Sequence, residues 1–560
     1  MKSKNQSESF KFQRKDGKLY SPYNNGLANK QHQIYKRRNK IKVALATGAA
    51  VVGVGGGVGI GYAIGLHQNN PPTPAPTVVK TLDIKGAHDL AVPYKNTYKY
   101  ECKNGTLSVD GVLPTGFKFE NDTLTFSGNA PTTSGFFKLK ATANDGTGKT
   151  KTITITYYGV SSIGENKCRF LYSDGRVSDE QDLTISDAGT LTLSPSGDEQ
   201  KILKAVYFGE LSGVTTIGDN FLINCAALTT VDLSPLVNVT AIGDWFLGGN
   251  FALTSVDLSL LVNVTTIGEY FLASSFSLIA VDLSKLTKIE SIGTGFLGKN
   301  ESLNSVDLPV NTKSIGDYFL NECDVLTSVD LSNLTKIESI GDNFLGYCHA
   351  LTSVNLPPLA KVTAIKDGFL NGCSALTAVD LSPLSKVITI GDEFLDGCSA
   401  LTAVDLSPLA KVTTIGDNFL SNCGSITSID LSPLTKLTIV NDYFLAWCYS
   451  LTYVNLSPLA NVTAIGNGFL YSCTTLASVD LSSLVLVTSI GNGFLGYCYA
   501  LTSVTVGDVN FSNITIGQSN ALVGVTNLTT NKIYGKKANA FKTKINSVNN
   551  NVVSNWNINE

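Results

Sequence analysis

A motif of 25 residues governs this chain of 560. The stretch "LTAVDLSPLAKVTTIGDNFLSNC" at 401–423 stands as "LTAVDLSPLSKVITIGDEFLDGC" 25 residues earlier and as "LTYVNLSPLANVTAIGNGFLYSC" 50 residues later. A solenoid is expected over 203–506, with twelve complete units from Leu203 to Ala500, all of one period except a 23-residue unit starting at Leu303, and a degenerate thirteenth from Leu501. A fixed period of this length specifies a stack of similar turns, because no unit can bury its apolar set alone and each copy becomes its neighbour's core.

Each position in the unit has a physical role. In "LTAVDLS" the residues Leu401, Val404 and Leu406 face inward from a short strand. Pro408 has no N–H to donate and ends that strand. Val412 and Ile415 form a second short extended piece, and Asp417 is placed to cap a single helical turn carrying Phe419, Leu420 and Cys423 inward. The expected fold is therefore an α/β-type solenoid of short parallel strands plus single helical turns. At a strand spacing of ~4.8 Å, twelve turns make a rod of about 55–60 Å.

The pattern "LTxVDL…IGDxFLxxCxxL" resembles the BspA-type leucine-rich repeat of bacterial surface proteins, with a longer period and "FL" where that family often has Ala-Phe. The resemblance implies a cell-surface or secreted protein engaged in adhesion or host contact, and supplies no ligand.

The remaining segments are different in kind. Residues 1–42 carry twelve Lys and Arg against two acids, and read as a disordered basic cytoplasmic tail. Residues 43–66, "VALATGAAVVGVGGGVGIGYAIGL", contain no charge and are long enough to cross a bilayer. With "YKRRNKIK" immediately before them, the expectation is a retained signal-anchor in the plasma membrane, its N-terminus cytoplasmic and the repeats extracellular. The alternative is a cleaved signal peptide with Ala63 at −3 and Gly65 at −1. A Pro-rich linker follows at 67–77.

Residues 78–158 alternate with period two between Gly- and Asn-rich turns, which predicts a β-sandwich. "LPTGFKFENDTLTFSGNAPTTSGFFKLKATANDGTG" also resembles the immunoglobulin-like domains of bacterial surface proteins, which implies a spacer. Asp145 reads as a turn residue, since no cluster of partners accompanies it as a Ca²⁺ ligand. Residues 159–202 are expected to cap the solenoid at one end, and 507–560 to form the other cap and a loose tail.

Three registers of the repeat carry chemistry. The first is a ladder of thiols, Cys225, Cys323, Cys348, Cys373, Cys398, Cys423, Cys448, Cys473 and Cys498, whose regular spacing argues for small buried residues with weak S–H donors and against disulfides. The second is a strand column of Asp232, Asp257, Asp282, Asp307, Asp330, Asp380, Asp405, Asp430 and Asp480, interrupted by Asn355 and Asn455. Stacking would set these carboxylates ~5 Å apart, close enough to raise each other's pKa. They bind a cation or a basic partner, or bond neighbouring Ser and Thr and keep the face soluble.

The third is an aromatic patch, Tyr443, Trp447, Tyr449, Tyr453, Tyr471, Tyr497 and Tyr499, at positions that are small or polar in most copies. Such side chains anchor interfaces, or mark drift at tolerant positions. A smaller group stands at Trp245, Phe251, Tyr270 and Phe276.

Enzyme signals are weak. The four His lack nucleophile or metal partners at useful spacing, and there is no phosphate loop, zinc helix pair or nucleophile elbow, so no catalytic residue, metal or cofactor is assigned. Residues 203–505 carry eleven Lys, no Arg and 26 acids, which argues against nucleic acid. The expected function is a membrane-anchored surface protein whose solenoid binds a protein or glycan on host or neighbouring cells. The alternatives are a self-associating coat protein and, more remotely, an ectoenzyme.

Overall fold

Residues are held in register by two parallel ladders that run through the repeats. In one, Ser328–Asp330 pairs with Ser353–Asn355. In the other, Thr389–Ile390 lies between Ala364–Ile365 and Thr414–Ile415. The 23-residue unit keeps this register, since Ser291–Ile292 pairs with Ser314–Ile315, so its missing residues come out of a loop. Between the ladders "SPL" forms a 3₁₀ turn, as at Ser407–Leu409, with Pro near its start.

The computed structural model describes residues 83–85, 89–93, 97–127, 131, 134–144, 147–509, 514–517, 521–523, 532–548, 553 and 556–559. Lys80–Glu560 is one of two units, and the other, Met1–Val79, lies outside these residues. The expected tail, membrane helix and Pro-rich linker fall there, and Asp145 of the β region also lies outside the described residues. Among the described residues no helix is long and apolar enough to cross a membrane.

The expected helical turn is absent. In its place the "DxFLxxC" segment alternates between right- and left-handed backbone, with φ of 59° at Asn418, 52° at Leu420 and 56° at Asn422. Its N–H groups serve the adjacent turns: Asn418 donates to Asp442 O at 2.8 Å, Leu420 to Phe394 O at 3.0 Å and Asn422 to Ala446 O at 2.9 Å. A left-handed non-Gly residue costs about 1–2 kcal/mol. Here the cost is met because a buried N–H without a partner costs as much. The change of hand also lets Phe419 and Leu420 both face the core, where a strand would send them to opposite faces. Asp417 accordingly caps no helix, and its Oδ1 accepts the N–H of Asp442 in the next turn at 3.0 Å.

The core repeats as faithfully as the backbone. From Phe208 to Phe494, phenyl rings of successive turns stack with centroids 5.1–6.2 Å apart. Beside them runs the thiol ladder. Cys398 Sγ donates to Leu370 O at 3.2 Å and Cys423 Sγ to Leu395 O at 3.2 Å, each the carbonyl of a left-handed Leu one turn back. Asn250, Ser275 and Asn300 hold the same register in three turns and also donate to those Leu carbonyls, at 3.0–3.1 Å. The requirement at this position is therefore a small buried donor, which Cys, Asn and Ser all supply.

The solenoid's ends are closed by different devices. At the N-terminal end Lys167–Tyr172 pairs antiparallel with Leu203–Phe208, and Gln181–Asp182 covers its outer edge. At the other end the parallel ladder continues through Ser503–Val506 and Lys532–Tyr534 to Asn557–Asn559. The chain end at 557–559 is thus a paired strand, where a loose tail was expected. The helix Ala538–Val548 buries Phe541 and Ile545 there, and Trp556 is 1% exposed.

Before the cap, a four-stranded and a three-stranded sheet share one core that includes Leu90, Phe117, Phe126, Leu139 and Ile155. Their longest strand, Thr150–Val160, runs on into the cap, where Tyr158 and Val160 pack with Leu171, Ala205 and Tyr207. Lys204 Nζ donates to the Tyr158 hydroxyl at 2.9 Å across this junction.

Replacing Cys398 by Ala removes the donor from the Leu370 carbonyl and is expected to cost about 1–3 kcal/mol, while Cys398→Ser keeps it and costs less. Urea unfolding of the two variants, followed by circular dichroism, checks the order; equal losses would contradict the donor role.

Candidate functional site

Two carboxylate ladders run along the solenoid, of which the sequence analysis identified one. In the expected strand column every Asp but Asp307, which has Pro309 two residues on, is tied to its own turn. Asp282 accepts the Ser284 N–H, Asp405 the Ser407 N–H and Asp430 the Ser432 N–H, all at 2.8 Å. Asp232, Asp257, Asp330, Asp380 and Asp480 do the same with the Ser two residues on. These are Asx turns that lead into "SPL". The Ser donors hold the carboxyls of Asp282, Asp330 and Asp405 below their ordinary value. The expected mutual raising is therefore overturned for these three: a charge-stabilising donor sits closer than the next carboxylate. Asp307, in the short unit, is exposed on the same face. Among the described residues no group of His, Cys, Asp and Glu is arranged to hold a metal.

The second ladder comes from the "IGD" Asp. Asp367 accepts the Asp392 N–H at 2.8 Å, Asp392 that of Asp417 at 2.7 Å, and Asp442 that of Asn467 at 2.7 Å. Here burial raises the carboxyls of Glu269, Asp342 and Asp417, with stacked acids adding to the shift. Asn467 and Asn492 fill the last turns and keep the bond, since Asn467 Oδ1 accepts the Asn492 N–H at 2.8 Å. The sequence signal is the acid that recurs in most turns after Ile-Gly, the position expected above to cap a helix.

The aromatic patch resolves into a ribbon and two outliers. Tyr443 and Trp447 stack at 5.2 Å, Trp447 meets Tyr471 edge-on at 5.5 Å, Tyr471 meets Tyr497 at 5.1 Å, and Tyr497 meets Tyr499 at 6.1 Å. The ribbon crosses three successive turns. Tyr443, Trp447 and Tyr497 occupy left-handed positions, with φ of 57°, 55° and 60°. In other turns those positions hold residues that tolerate this backbone, such as Asn343, Gly372, Gly397 and Asn418. Tyr443 lies over Gly468, where an added Cβ would come 2.4 Å from the ring, and Tyr471 lies over Gly493. Glycine in the next turn thus gives each ring a flat bed. Tyr449, against Gly424, and Tyr453, on the strand beside Ser428, make no ring contact with the ribbon.

The smaller aromatic group pairs off as Trp245 on Tyr270 at 4.4 Å and Phe251 on Phe276 at 4.9 Å. The nine repeat thiols are buried and free. Burial pushes Cys225, Cys398, Cys448 and Cys498 up to about 12, and raises the others as well.

Two measurements follow. A raised carboxyl pKa means that the folded chain holds the proton more tightly than the unfolded one, so the charged ladder weakens the fold above the folded-state pKa and the penalty fades on acidification. Asp417→Asn should therefore stabilise at neutral pH, by about 0.5 kcal/mol after solvent screening, and the gain should vanish near about pH 4. Thermal melts across that range check it. Second, iodoacetamide at mildly alkaline pH should leave the nine repeat thiols intact in the folded chain and modify them in urea, read by mass shift. Rapid labelling of the folded chain would contradict their inward register.

The repeat is shared with known proteins. A family model described as "BspA type Leucine rich repeat region (6 copies)" matches residues 200–293, 290–420 and 388–546. No curated protein matches the chain. Among solved structures, a leucine-rich repeat protein from Bacteroides ovatus is 20% identical, over 65% of this chain and 95% of that one, with a TM-score of 0.35. A leucine rich cell surface protein from Faecalibacterium prausnitzii is 14% identical, over 62% and 96%, at 0.34. A leucine-rich repeat protein from Eubacterium ventriosum is 16% identical, over 51% and 91%, at 0.23. With the family model matching more than half of its length, the chain belongs to the BspA-type leucine-rich repeat family.

Proposed function

We propose that this protein is a membrane-anchored surface binder, with residues 43–66 in the bilayer, the β region at 78–158 as an immunoglobulin-like spacer and the solenoid displayed outside. The observation that carries the binding role is the aromatic ribbon. Three of its rings stand on left-handed backbone, a placement that costs energy at each position and that the core does not require. Exposed, rigid aromatic side chains with polar tips are what interfaces use as anchors. Tyr443, at 36% exposure, and Tyr499, at 47%, keep much of their surface open to solvent. The spacer reading draws on the two sheets around one core and on the strand that runs from them into the cap. The anchor draws on the uncharged run after a basic segment.

The expected outcome of replacing Tyr443, Trp447 and Tyr471 together by Ala is a loss of cell attachment of about tenfold or more. The melting temperature should stay close to that of the unchanged chain, because other turns carry Gly or Asn at the two left-handed positions. Cells displaying the full chain provide the attachment measurement, with Tyr453→Ala as the comparison that should attach normally. Undiminished attachment by the triple variant would remove the binding role from this surface.

A further inference from the structure

We propose that the aromatic ribbon takes an uncharged carbohydrate chain laid along the stacking direction of the turns. This rests on the binding role proposed above and names the chemistry of its ligand.

The first ground is charge. From Tyr443 to Gly507 the sequence holds one charged side chain, Asp480. Asp480 lies on the strand Ser478–Leu481 and is occupied by the Ser482 N–H. By contrast, the single unit starting at Leu376 holds Asp380, Lys386, Asp392, Glu393 and Asp396. Aromatic residues at equivalent left-handed positions elsewhere sit among acids: Tyr318 has Asp317 and Asp342 beside it, and Tyr347 has Glu393 and Asp396. Asp442, next to Tyr443, is the one acid at the ribbon's edge, and both its oxygens are taken by the Asn467 N–H and side-chain amide, at 2.7 and 2.8 Å. A polyanion would need Lys or Arg there. A protein partner's rim charges would find no counter-charges.

The second ground is shape. Trp447, Tyr471 and Tyr497, one from each of three successive turns, follow one another edge-on at 5.5 and 5.1 Å, with Tyr443 and Tyr499 beside the two ends at 5.2 and 6.1 Å, so the ribbon is narrow and continuous along the stack. Gly468 and Gly493 fix Tyr443 and Tyr471 against the surface, which removes the ordering cost a mobile ring would carry. A linear polymer fits such a track better than a globular patch does.

The third ground is the match of functional groups. A pyranose ring offers an apolar face of C–H bonds, whose partial positive charge suits the negative face of an aromatic ring. Its hydroxyl edge needs neutral donors and acceptors. The ribbon supplies phenol hydroxyls, and Ser472 and Thr474 flank it without charge.

The test applies the full chain to a printed array of neutral, sialylated and sulfated oligosaccharides, followed by titration of the best neutral glycan. Binding to neutral glycans is expected. It should weaken at least tenfold in Trp447→Ala and in Tyr471→Ala, and hold steady between about 50 and about 500 mM salt, as an interaction without charge should. Tyr499→Ala, at a more exposed position, keeps the test alive if either variant misfolds. Binding only to acidic glycans, or to none, overturns the assignment. If attachment to cells still depends on Trp447 and Tyr471 in that case, the ligand is a protein and the binding role stands. If attachment ignores those residues, the binding role itself fails.

Discussion

Everything in the repeat array depends on backbone hydrogen bonds between turns in strict register. The two strand ladders supply some of them. The decisive ones come from the alternating left-handed segment, where Leu420 donates one turn back while Asn418 and Asn422 donate one turn forward. A left-handed Leu is costly in isolation. Repeated from Leu222 to Leu522, it is held because slipping any one turn would orphan N–H groups on both sides. The Phe stack and the Cys, Asn and Ser donors are consequences: equal backbone positions place equal side chains in contact, and each turn presents the same Leu carbonyl for a donor to satisfy.

That register explains which parts of the structure could be read from sequence. The period, the inward set Leu401, Val404, Leu406, Val412, Ile415, Phe419, Leu420 and Cys423, and the stop at Pro408 follow from hydrophobic pattern and proline chemistry, and all of the set are buried except Val404, which is half-buried. The backbone of "DNFLSNC" did not follow. Adjacent apolar residues suggest a helical turn, and a Leu at positive φ has no compositional signature. The available signal lay beside it, in the Asn and Gly that alternate with Tyr and Trp at positions such as 343, 372, 418 and 422. The aromatic exceptions concealed that rule.

The candidate site was legible to a lesser degree for a related reason. Sequence spacing identifies residues on the same turn register, but neighbouring registers can point to different faces. Tyr453 is ten residues from Tyr443 yet stands on the strand, whereas Tyr497 is fifty-four residues away and belongs to the ribbon. The Asp columns show the same limit. Both recur in most turns, but Asp405 bonds within its turn and its carboxyl is pulled down by the Ser407 donors, while Asp417 bonds to the next turn and its carboxyl is pushed up by burial. Periodicity reports that a position recurs; it does not report which neighbour the side chain meets.

The carboxylate ladder and the aromatic ribbon meet at the C-terminal turns, where Asp442 bonds Asn467 beside Tyr443. A stacked carboxylate ladder carries an accumulating repulsion, and in the last turns Asn467 and Asn492 replace the acid while preserving the hydrogen bond. The same turns lose the Lys residues that accompany acids in earlier units, and bring the left-handed rings Tyr443, Trp447 and Tyr497 into one ribbon through Tyr471, where earlier ones such as Tyr318 and Tyr347 stand among acids. Loss of charge alone would follow from relaxed constraint on an exposed face. Loss of charge together with strained aromatic side chains does not, because the strain works against the stability that the neutral Asn residues recover. The inter-turn hydrogen bonds are the same in these turns as elsewhere, with Leu445 and Leu470 donating one turn back at 3.0 and 3.1 Å, so the surface differs while the turns that support it do not.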